Sequence, residues 1–185
     1  MSFPKTKSVL ALVLIFFLGF ISGSLSSPEQ KAASVNTGEA ITVNDREYFQ
    51  LMHDLLRSAN ESIHIVMFEV KWYPDYPDSS MNVILQDLMD AESRGVDVRI
   101  VTDEYLTDKP VLTYLKDNGI DIRYDSEETT THAKLIIVDG KLVMVGSTNW
   151  SYYAIENNHE ANILLYSPEI ARDFESYFYD LWISS

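Results

Sequence analysis

The feature that most constrains this sequence is an alternation of short β-branched apolar runs with helical stretches that end at glycine. Ile63 to Val70 and Val96 to Thr102 each have the composition of a buried strand. Between them, Met81 to Arg94 carries apolar residues at helical spacing and stops at Gly95, a residue that commonly terminates helices. Strand, helix and strand in this order predict a right-handed crossover between parallel strands.

The same alternation extends on both sides of this unit. An apolar stripe at spacings of three and four predicts a helix from Asp45 to Ala59. Val111 to Asn118 reads as a short helix ended by Gly119, and Ile120 to Tyr124 as a third strand. The first half of the domain is therefore expected to form a parallel sheet.

The second half changes character. Lys134 to Val138 and Leu142 to Val145 flank Asp139-Gly140, a pair typical of a hairpin turn with positive φ at both central residues. The remaining predicted elements are a strand from Ala161 to Tyr166 and a helix from Pro168 to Trp182. We expect an α/β sandwich with a mixed, mostly parallel β-sheet flanked by helices on both faces.

The N-terminus has the pattern of an export signal. Lys5 and Lys7 precede the apolar run from Val9 to Ile21, and small residues follow it. The run is shorter than the roughly 20 residues of a spanning helix, although an extension through Leu25 leaves an uncleaved anchor open. We therefore expect a signal peptide or N-terminal membrane anchor in residues 1–24, a linker in 25–40 and one domain in 41–185. The domain would be secreted, or membrane-anchored outside the cytoplasm.

Charge and cysteine content limit the chemistry. The chain carries 14 basic and 28 acidic residues, a net charge of −14 that becomes −16 without Lys5 and Lys7. Such a surface repels polyanions, so a phosphate-bearing substrate must be held by a local cluster of residues. The chain has no cysteine, which excludes disulfides, thiolate metal sites and a thiol nucleophile.

The residues best suited to catalysis lie around the hairpin. His132 and Lys134 are two positions apart in an extended segment and therefore project from the same face. Ser147 and Asn149 follow the second hairpin strand, where Gly146 is expected to let a ligand approach closely. An imidazole nucleophile, a cation and neutral donors suit phosphoryl transfer. The sequence shows no metal-ligand cluster, and neither a metal nor a cofactor is expected.

These residues form a recognisable pattern, His-x-Lys-x4-Asp-x6-Gly-Ser-x-Asn. It is matched without a gap by His132, Lys134, Asp139, Gly146, Ser147 and Asn149, with Glu160 as the downstream acid. The pattern resembles the signature of the phospholipase D superfamily. The segments 59–65, 94–100 and 118–120 are similar to small single-motif members typified by bacterial endonucleases, and the resemblance covers Ile41 to Trp182.

The resemblance implies a role for each matched residue. His132 would be the nucleophile that forms a phosphohistidine, and Lys134 and Asn149 would bind phosphate. Ser147 would assist in positioning the phosphate oxygens, and Glu160 would hold the His132 ring in the required tautomer. Asp139 belongs to the implied catalytic set, but its place in a hairpin turn offers the alternative of stabilising that turn.

One motif per chain has a consequence for assembly. The mechanism needs one imidazole to attack and another to protonate the leaving oxygen. A homodimer with a composite active site, in which two copies of His132 meet, is therefore predicted. The other three histidines lie outside the pattern. His53 is interpreted as solvated, His64 as structural, and His159 as structural or at the surface.

A nucleic acid is the predicted substrate, and two other classes are kept as alternatives. Small size and a single motif favour an endonuclease-like phosphodiesterase acting on DNA or RNA by analogy. Acidity, the export signal and the aromatic loop from Lys71 to Asp78 favour the alternative, a phospholipase D that cleaves phospholipid headgroups. In that loop Trp72, Tyr73 and Tyr76 could stack on bases, enter a lipid interface or pack over the sheet edge. A noncatalytic module that binds a phosphate ligand is a second alternative.

Overall fold

The computed structural model describes residues 39–185, so the predicted leader and nearly all of the linker lie outside the described residues. Within 39–185, no helix combines the length and apolar character needed to cross a membrane. The elements are β1 (Ala40–Asn44), α1 (Glu47–Ser58), β2 (Ser62–Met67), α2 (Ser80–Ser93), β3 (Asp97–Thr102), α3 (Lys109–Asp117), β4 (Asp121–Tyr124), β5 (Lys134–Val138), β6 (Leu142–Gly146), α4 (Tyr152–Glu156), β7 (Ala161–Tyr166) and α5 (Pro168–Ser184).

The strands form one seven-stranded sheet in the order β1-β7-β6-β5-β2-β3-β4. The predicted parallel half is present, since β2 pairs with β3 and β3 with β4 in parallel. The other four pairings, β2 with β5, β5 with β6, β6 with β7 and β7 with β1, are antiparallel. The α/β class is confirmed, but the expectation of a mostly parallel sheet needs correction. The tight β5–β6 turn reverses the chain beside β2 without a crossover helix, which makes this half antiparallel.

Two elements were not predicted from the sequence. β1, with the sequence Ala-Ile-Thr-Val-Asn, was assigned to no element, and its first residue fell in the predicted linker; it pairs with β7 at the sheet edge. The five-residue helix α4 is too short to show helical periodicity. Both elements depend on tertiary contacts that a local pattern does not reveal.

Helices cover both faces of the sheet, as expected. β2 alternates between the two cores: Ile63 and Ile65 pack in the larger one with α1, α2 and α3. Val66 packs on the opposite face with Phe178 and Trp182 of α5. The sheet is therefore buried from both sides along its central strands, and its functional groups emerge where the strands end.

A buried hydrogen bond connects α1 to the segment after β6. The Trp150 indole N–H donates to the Tyr48 hydroxyl at 2.9 Å, and the two side chains are 0% and 1% exposed. Burial raises the pKa of the Tyr48 hydroxyl, which keeps it protonated. Trp150 directly follows Asn149, so this bond fixes the backbone beside one of the predicted site residues.

Replacing Tyr48 by Phe is expected to lower the free energy of unfolding by about 1–3 kcal/mol, because the buried indole N–H loses its acceptor. Urea unfolding measured by circular dichroism would report this change. The matched control is Tyr177→Phe, which removes a hydroxyl from a side chain that is 44% exposed and should change stability by less than about 0.5 kcal/mol. Equal stabilities of the two variants would contradict the assigned role of the bond.

Candidate active site

His132 and Lys134 lie together at the start of β5. The Lys134 ammonium Nζ is 3.3 Å from Nδ1 and 3.5 Å from Nε2 of the His132 ring, and it donates to the His132 carbonyl at 2.9 Å. His132 is exposed, whereas Lys134 is only 8% exposed. The Phe68 amide donates to the Ala133 carbonyl at 3.0 Å, which holds the segment against the end of β2. The result is an accessible imidazole beside a buried cation.

The surroundings of Lys134 are apolar on one side and acidic on the other. Its ammonium lies 4.8 Å from the centre of the Phe68 ring, which also contacts the His132 ring at 4.4 Å. Burial lowers the pKa of Lys134, and the nearby carboxylates of Glu160 and Glu69 oppose that shift. Sequence reasoning missed Phe68 and Glu69, which could have been noticed as the residues that follow β2 towards the same end of the sheet.

Asn149 brings an amide to this end of the sheet. Its Oδ1 is buried and has no hydrogen-bond partner among the described residues. The segment is fixed by backbone bonds on its far side, where the Trp150 amide donates to the Glu69 carbonyl at 3.0 Å and the Lys71 amide to the Trp150 carbonyl at 2.9 Å. An unpartnered buried amide oxygen is uncommon and is consistent with a group that turns to meet a ligand.

Asn162 positions this segment from the neighbouring strand and was not predicted. Its Oδ1 accepts from the Thr148 amide at 3.3 Å, and its Nδ2 donates to the Thr148 hydroxyl at 2.8 Å. The same Nδ2 donates to the Val43 carbonyl of β1 at 3.0 Å. Asn162 is buried and interrupts an apolar strand, which is the signal by which the sequence could have revealed it.

Ser147 and Glu160 form a pair. The Ser147 hydroxyl donates to the Glu160 carboxylate, which also accepts from the Asn158 side-chain amide at 3.1 Å. Within residues 39–185, Glu160 makes no hydrogen bond to His132, so the predicted orientation of the His132 ring by this carboxylate is not present in this arrangement. Instead Glu160 contributes negative charge near Lys134.

Gly146 makes a close contact with the neighbouring strand, and the expected close approach of a ligand stays a prediction. A Cβ atom at this position would lie 2.6 Å from the Ala161 carbonyl oxygen and 2.6 Å from Asn162 Cα. Such contacts are too short for any side chain. Glycine is therefore required by the close packing of β6 on β7, and this packing brings Asn162 within reach of Thr148.

Asp139 lies at the opposite end of β5 from His132. It is five residues from Lys134, a separation of roughly 16 Å along a strand. Asp139 and Gly140 adopt φ values of 53° and 58°, which confirms the predicted hairpin turn. The Asp139 carboxylate accepts from the amides of Asn60, Glu61 and Ser62 at 2.7–3.2 Å. These contacts agree with the structural alternative, in which Asp139 stabilises the turn and anchors the start of β2.

Two other histidines contact carboxylates. His64 is 4% exposed and its Nδ1 lies 2.6 Å from Glu175, which agrees with a structural role. His53 was expected to be solvated, but its Nδ1 lies 2.7 Å from the buried Asp87 carboxylate. The expectation failed because Asp87 lies on α2, which packs against the same side of α1.

A carboxylate cluster supports the segment that precedes His132. The buried Asp103 accepts from the Thr131 amide at 3.2 Å and from the Tyr105 amide at 2.9 Å. Oxygens of Asp103, Glu104 and Asp125 lie within 4.8 Å of one another, an arrangement that could hold a cation. Burial raises the pKa of Asp125. The sequence analysis found no such cluster, because its members follow two different strands, β3 and β4, that are brought together only in the folded sheet.

Comparisons with known proteins agree with this fold. A family model described as cardiolipin synthase, PLD-like domain, matches residues 52–182. The crystal structure of a phospholipase D family member, Nuc from Salmonella typhimurium, aligns with a TM-score of 0.67 and 28% identity, covering 79% of this chain and 96% of that one. NucT from Helicobacter pylori, at 22% identity and a TM-score of 0.64, shows the same fold.

Curated relatives match a shorter region. The mitochondrial cardiolipin hydrolase of Danio rerio is 38% identical over 95 residues, which are 50% of this chain and 42% of that protein. The mitochondrial cardiolipin hydrolase of Chlamydomonas reinhardtii is 30% identical over 131 residues, 70% of this chain and 55% of that protein. The chain thus spans about half the length of these relatives. Since the family model covers most of the domain that carries His132 and Lys134, the chain belongs to the phospholipase D superfamily.

Proposed function

We propose that this protein is a metal-independent phosphodiesterase that works through a phosphohistidine on His132. The observation that carries the proposal is the exposed His132 ring 3.3 Å from the buried ammonium of Lys134. The ammonium provides, directly beside the nucleophile, the positive charge that the nonbridging oxygens of a phosphate need. The unpartnered amide of Asn149 supplies a further polar group at the same end of the sheet.

In the first step, a His132 ring nitrogen attacks phosphorus with its lone pair. The new P–N bond forms as the P–O bond to the leaving alcohol breaks, and Lys134 compensates the negative charge on the nonbridging oxygens. The leaving oxygen must receive a proton from a second acid. Within the described residues of one chain, no contact joins His132 to another histidine; His159 precedes β7 at the same end of the sheet, but its Nδ1 lies 3.2 Å from Asp45.

The second acid is provided by dimerisation. A twofold axis at the end of the sheet would bring the partner's His132 opposite the first one, and that ring would protonate the leaving alcohol. In the second step the same ring takes a proton from water, whose oxygen attacks phosphorus and breaks the P–N bond. The products are the alcohol, the phosphomonoester and a regenerated imidazole pair.

The charge distribution favours a phospholipid headgroup over a polynucleotide as substrate. Tight binding of a nucleic acid backbone relies on several cationic contacts. Four of the eleven lysines and arginines in residues 39–185 are already paired with carboxylates at N–O distances of 2.9–3.1 Å: Lys71 with Asp108, Arg99 with Asp97, Arg123 with Asp121, and Lys141 with Glu61. A substrate that presents a single phosphodiester needs only Lys134. The named activity of the cardiolipin hydrolases also supports a phospholipid.

An endonuclease-like activity on DNA or RNA is the second candidate. It is favoured by the structural similarity to Nuc, 96% of which is covered by the match. The nuclease activity stays a prediction. Export or anchoring through residues 1–24 also stays a prediction, and anchoring would place the site near a membrane surface.

Turnover of phospholipid vesicles, single-stranded DNA and RNA, each in the presence of chelator, is the experiment that tests the function. Release of a headgroup alcohol from vesicles is expected, and His132→Ala should lower kcat by about a thousandfold or more while leaving the circular dichroism spectrum unchanged. Cleavage of nucleic acid alone would select the second candidate. Activity that needs an added divalent metal, or that survives in His132→Ala, would refute the mechanism.

Lys134→Met should separate stability from activity. The lowered pKa of Lys134 means that burial of the ammonium is unfavourable, so the variant is expected to unfold at higher urea concentration at pH 7. At pH values between the lowered pKa of Lys134 and its ordinary value of 10.5, the unfolded wild-type chain binds more protons than the folded one. The stability of the wild type therefore rises with pH over this range, and the advantage of the variant shrinks. Activity should fall by about a hundredfold or more. A variant less stable than wild type at pH 7 would contradict this account.

Mixing variants tests the composite site. If two copies of His132 act together, a tenfold excess of the His132→Ala protein, equilibrated with wild type, should sequester wild-type chains in heterodimers and reduce their activity by about tenfold. The same mass of serum albumin serves as the control. Unchanged wild-type activity, together with a monomeric mass by light scattering, would show that one chain suffices.

A further inference from the structure

The aromatic loop forms one wall of a cleft that the catalytic residues do not occupy. This tyrosine cleft has a volume of about 760 Å³ and is lined by four tyrosines and two aspartates: Tyr73, Tyr76, Tyr152, Tyr153, Asp75 and Asp78. Tyr76 and Tyr153 are each 70% exposed and Tyr152 is 45% exposed. Large aromatic side chains left in water at one place indicate a surface for recognition.

Hydrogen bonds hold the two walls of the tyrosine cleft in place. The Tyr152 amide donates to the Tyr73 hydroxyl at 3.0 Å, which joins the loop to the start of α4. Asn82 of α2 accepts from the Tyr73 amide at 3.0 Å and donates to the carbonyls of Tyr73 and Tyr76 at 2.7 and 3.0 Å. The cleft is therefore formed before any ligand arrives, which reduces the entropy lost on binding.

Both walls begin at the backbone that borders the candidate active site. Val70 and Trp150 form a parallel bridge, after which one chain continues into the aromatic loop and the other into Tyr152 and Tyr153. Trp150 directly follows Asn149. The cleft and the candidate phosphate site are therefore joined by the short segment from Asn149 to Tyr152.

The chemistry of the lining selects among occupants. The residues that line the cleft include no lysine, arginine or histidine, while Asp75 and Asp78 contribute two carboxylates. Those carboxylates would repel the phosphates of a stacked single strand and would be poorly solvated beside an acyl chain. A cation is instead attracted both by the carboxylates and by the faces of the tyrosine rings, as in aromatic cages that bind quaternary ammonium groups.

We infer that the tyrosine cleft binds a compact organic ammonium group. The second part of the inference rests on the proposed function: the cleft selects phosphodiesters whose alcohol portion carries an ammonium group beside the phosphate. The acidic surface then favours the substrate, because the domain attracts the cationic end while Lys134 holds the anionic one.

Binding is tested first, with tetramethylammonium as the probe and the neutral isostere 3,3-dimethyl-1-butanol as its control, by ligand-observed NMR on wild type and on His132→Ala. Both proteins should bind the cation at least tenfold more tightly than the alcohol. The double variant Tyr76→Leu/Tyr153→Leu should lose at least tenfold in affinity for the cation. Tyr105→Leu, which alters a tyrosine of matched exposure (72%) outside the cleft, should not.

Turnover is tested next by comparing glycerophosphocholine with its 3,3-dimethylbutyl ester. The ratio of kcat/KM for the cationic over the neutral diester should be at least ten in wild type and approach one in the double variant. If the protein bound the cation but showed no preference for the cationic diester in turnover, the cleft would be a site for a free amine. The substrate assignment would then be overturned. Equal binding of the alcohol, or binding of nucleosides in its place, would overturn the ammonium site. If no diester were turned over, the proposed function would be refuted, and the ammonium site would be decided by the binding result alone.

Discussion

The antiparallel pairing of β2 with β5 is the constraint on which the remaining structure depends. In this register Met67 lies opposite Lys134, so the last residue of β2 meets the first of β5. The parallel half of the sheet ends there with Phe68 and Glu69, and the antiparallel half begins there with His132 and Lys134. A shift of one residue would turn Lys134 to the other face of the sheet and separate it from Phe68.

This junction also explains how a charged group is kept in an apolar environment. The Lys134 ammonium is covered by Phe68 and balanced by Glu69 and Glu160 without a direct ion pair among the described residues. An ammonium held in a salt bridge would already have a partner. Here the charge is only partly compensated and stays available to a phosphate, at some cost in stability.

Features of the site that depend on residues close in sequence could be predicted, whereas features that depend on residues distant in sequence could not. Local patterns were sufficient for the Asp139-Gly140 turn and for the neighbourhood of His132 and Lys134, because a strand places residues two apart on one face. The backbone contact at Gly146 and the partners of Asp139 could not be predicted in this way. Gly146 packs on Asn162 of another strand, and the partners of Asp139 are backbone amides some 80 residues away. The same limit hid the carboxylate cluster and β1, and it gave the wrong balance of parallel and antiparallel strands.

The unpaired state of Lys134 couples ligand binding to solvent protons. A bound phosphate dianion or phosphodiester would favour the charged ammonium and return the pKa of Lys134 towards its ordinary value. At alkaline pH the complex would therefore take up a fraction of a proton that the free protein lacks. The heat of anion binding measured by calorimetry would then vary with the ionisation enthalpy of the buffer, and the affinity would decrease as the pH rises.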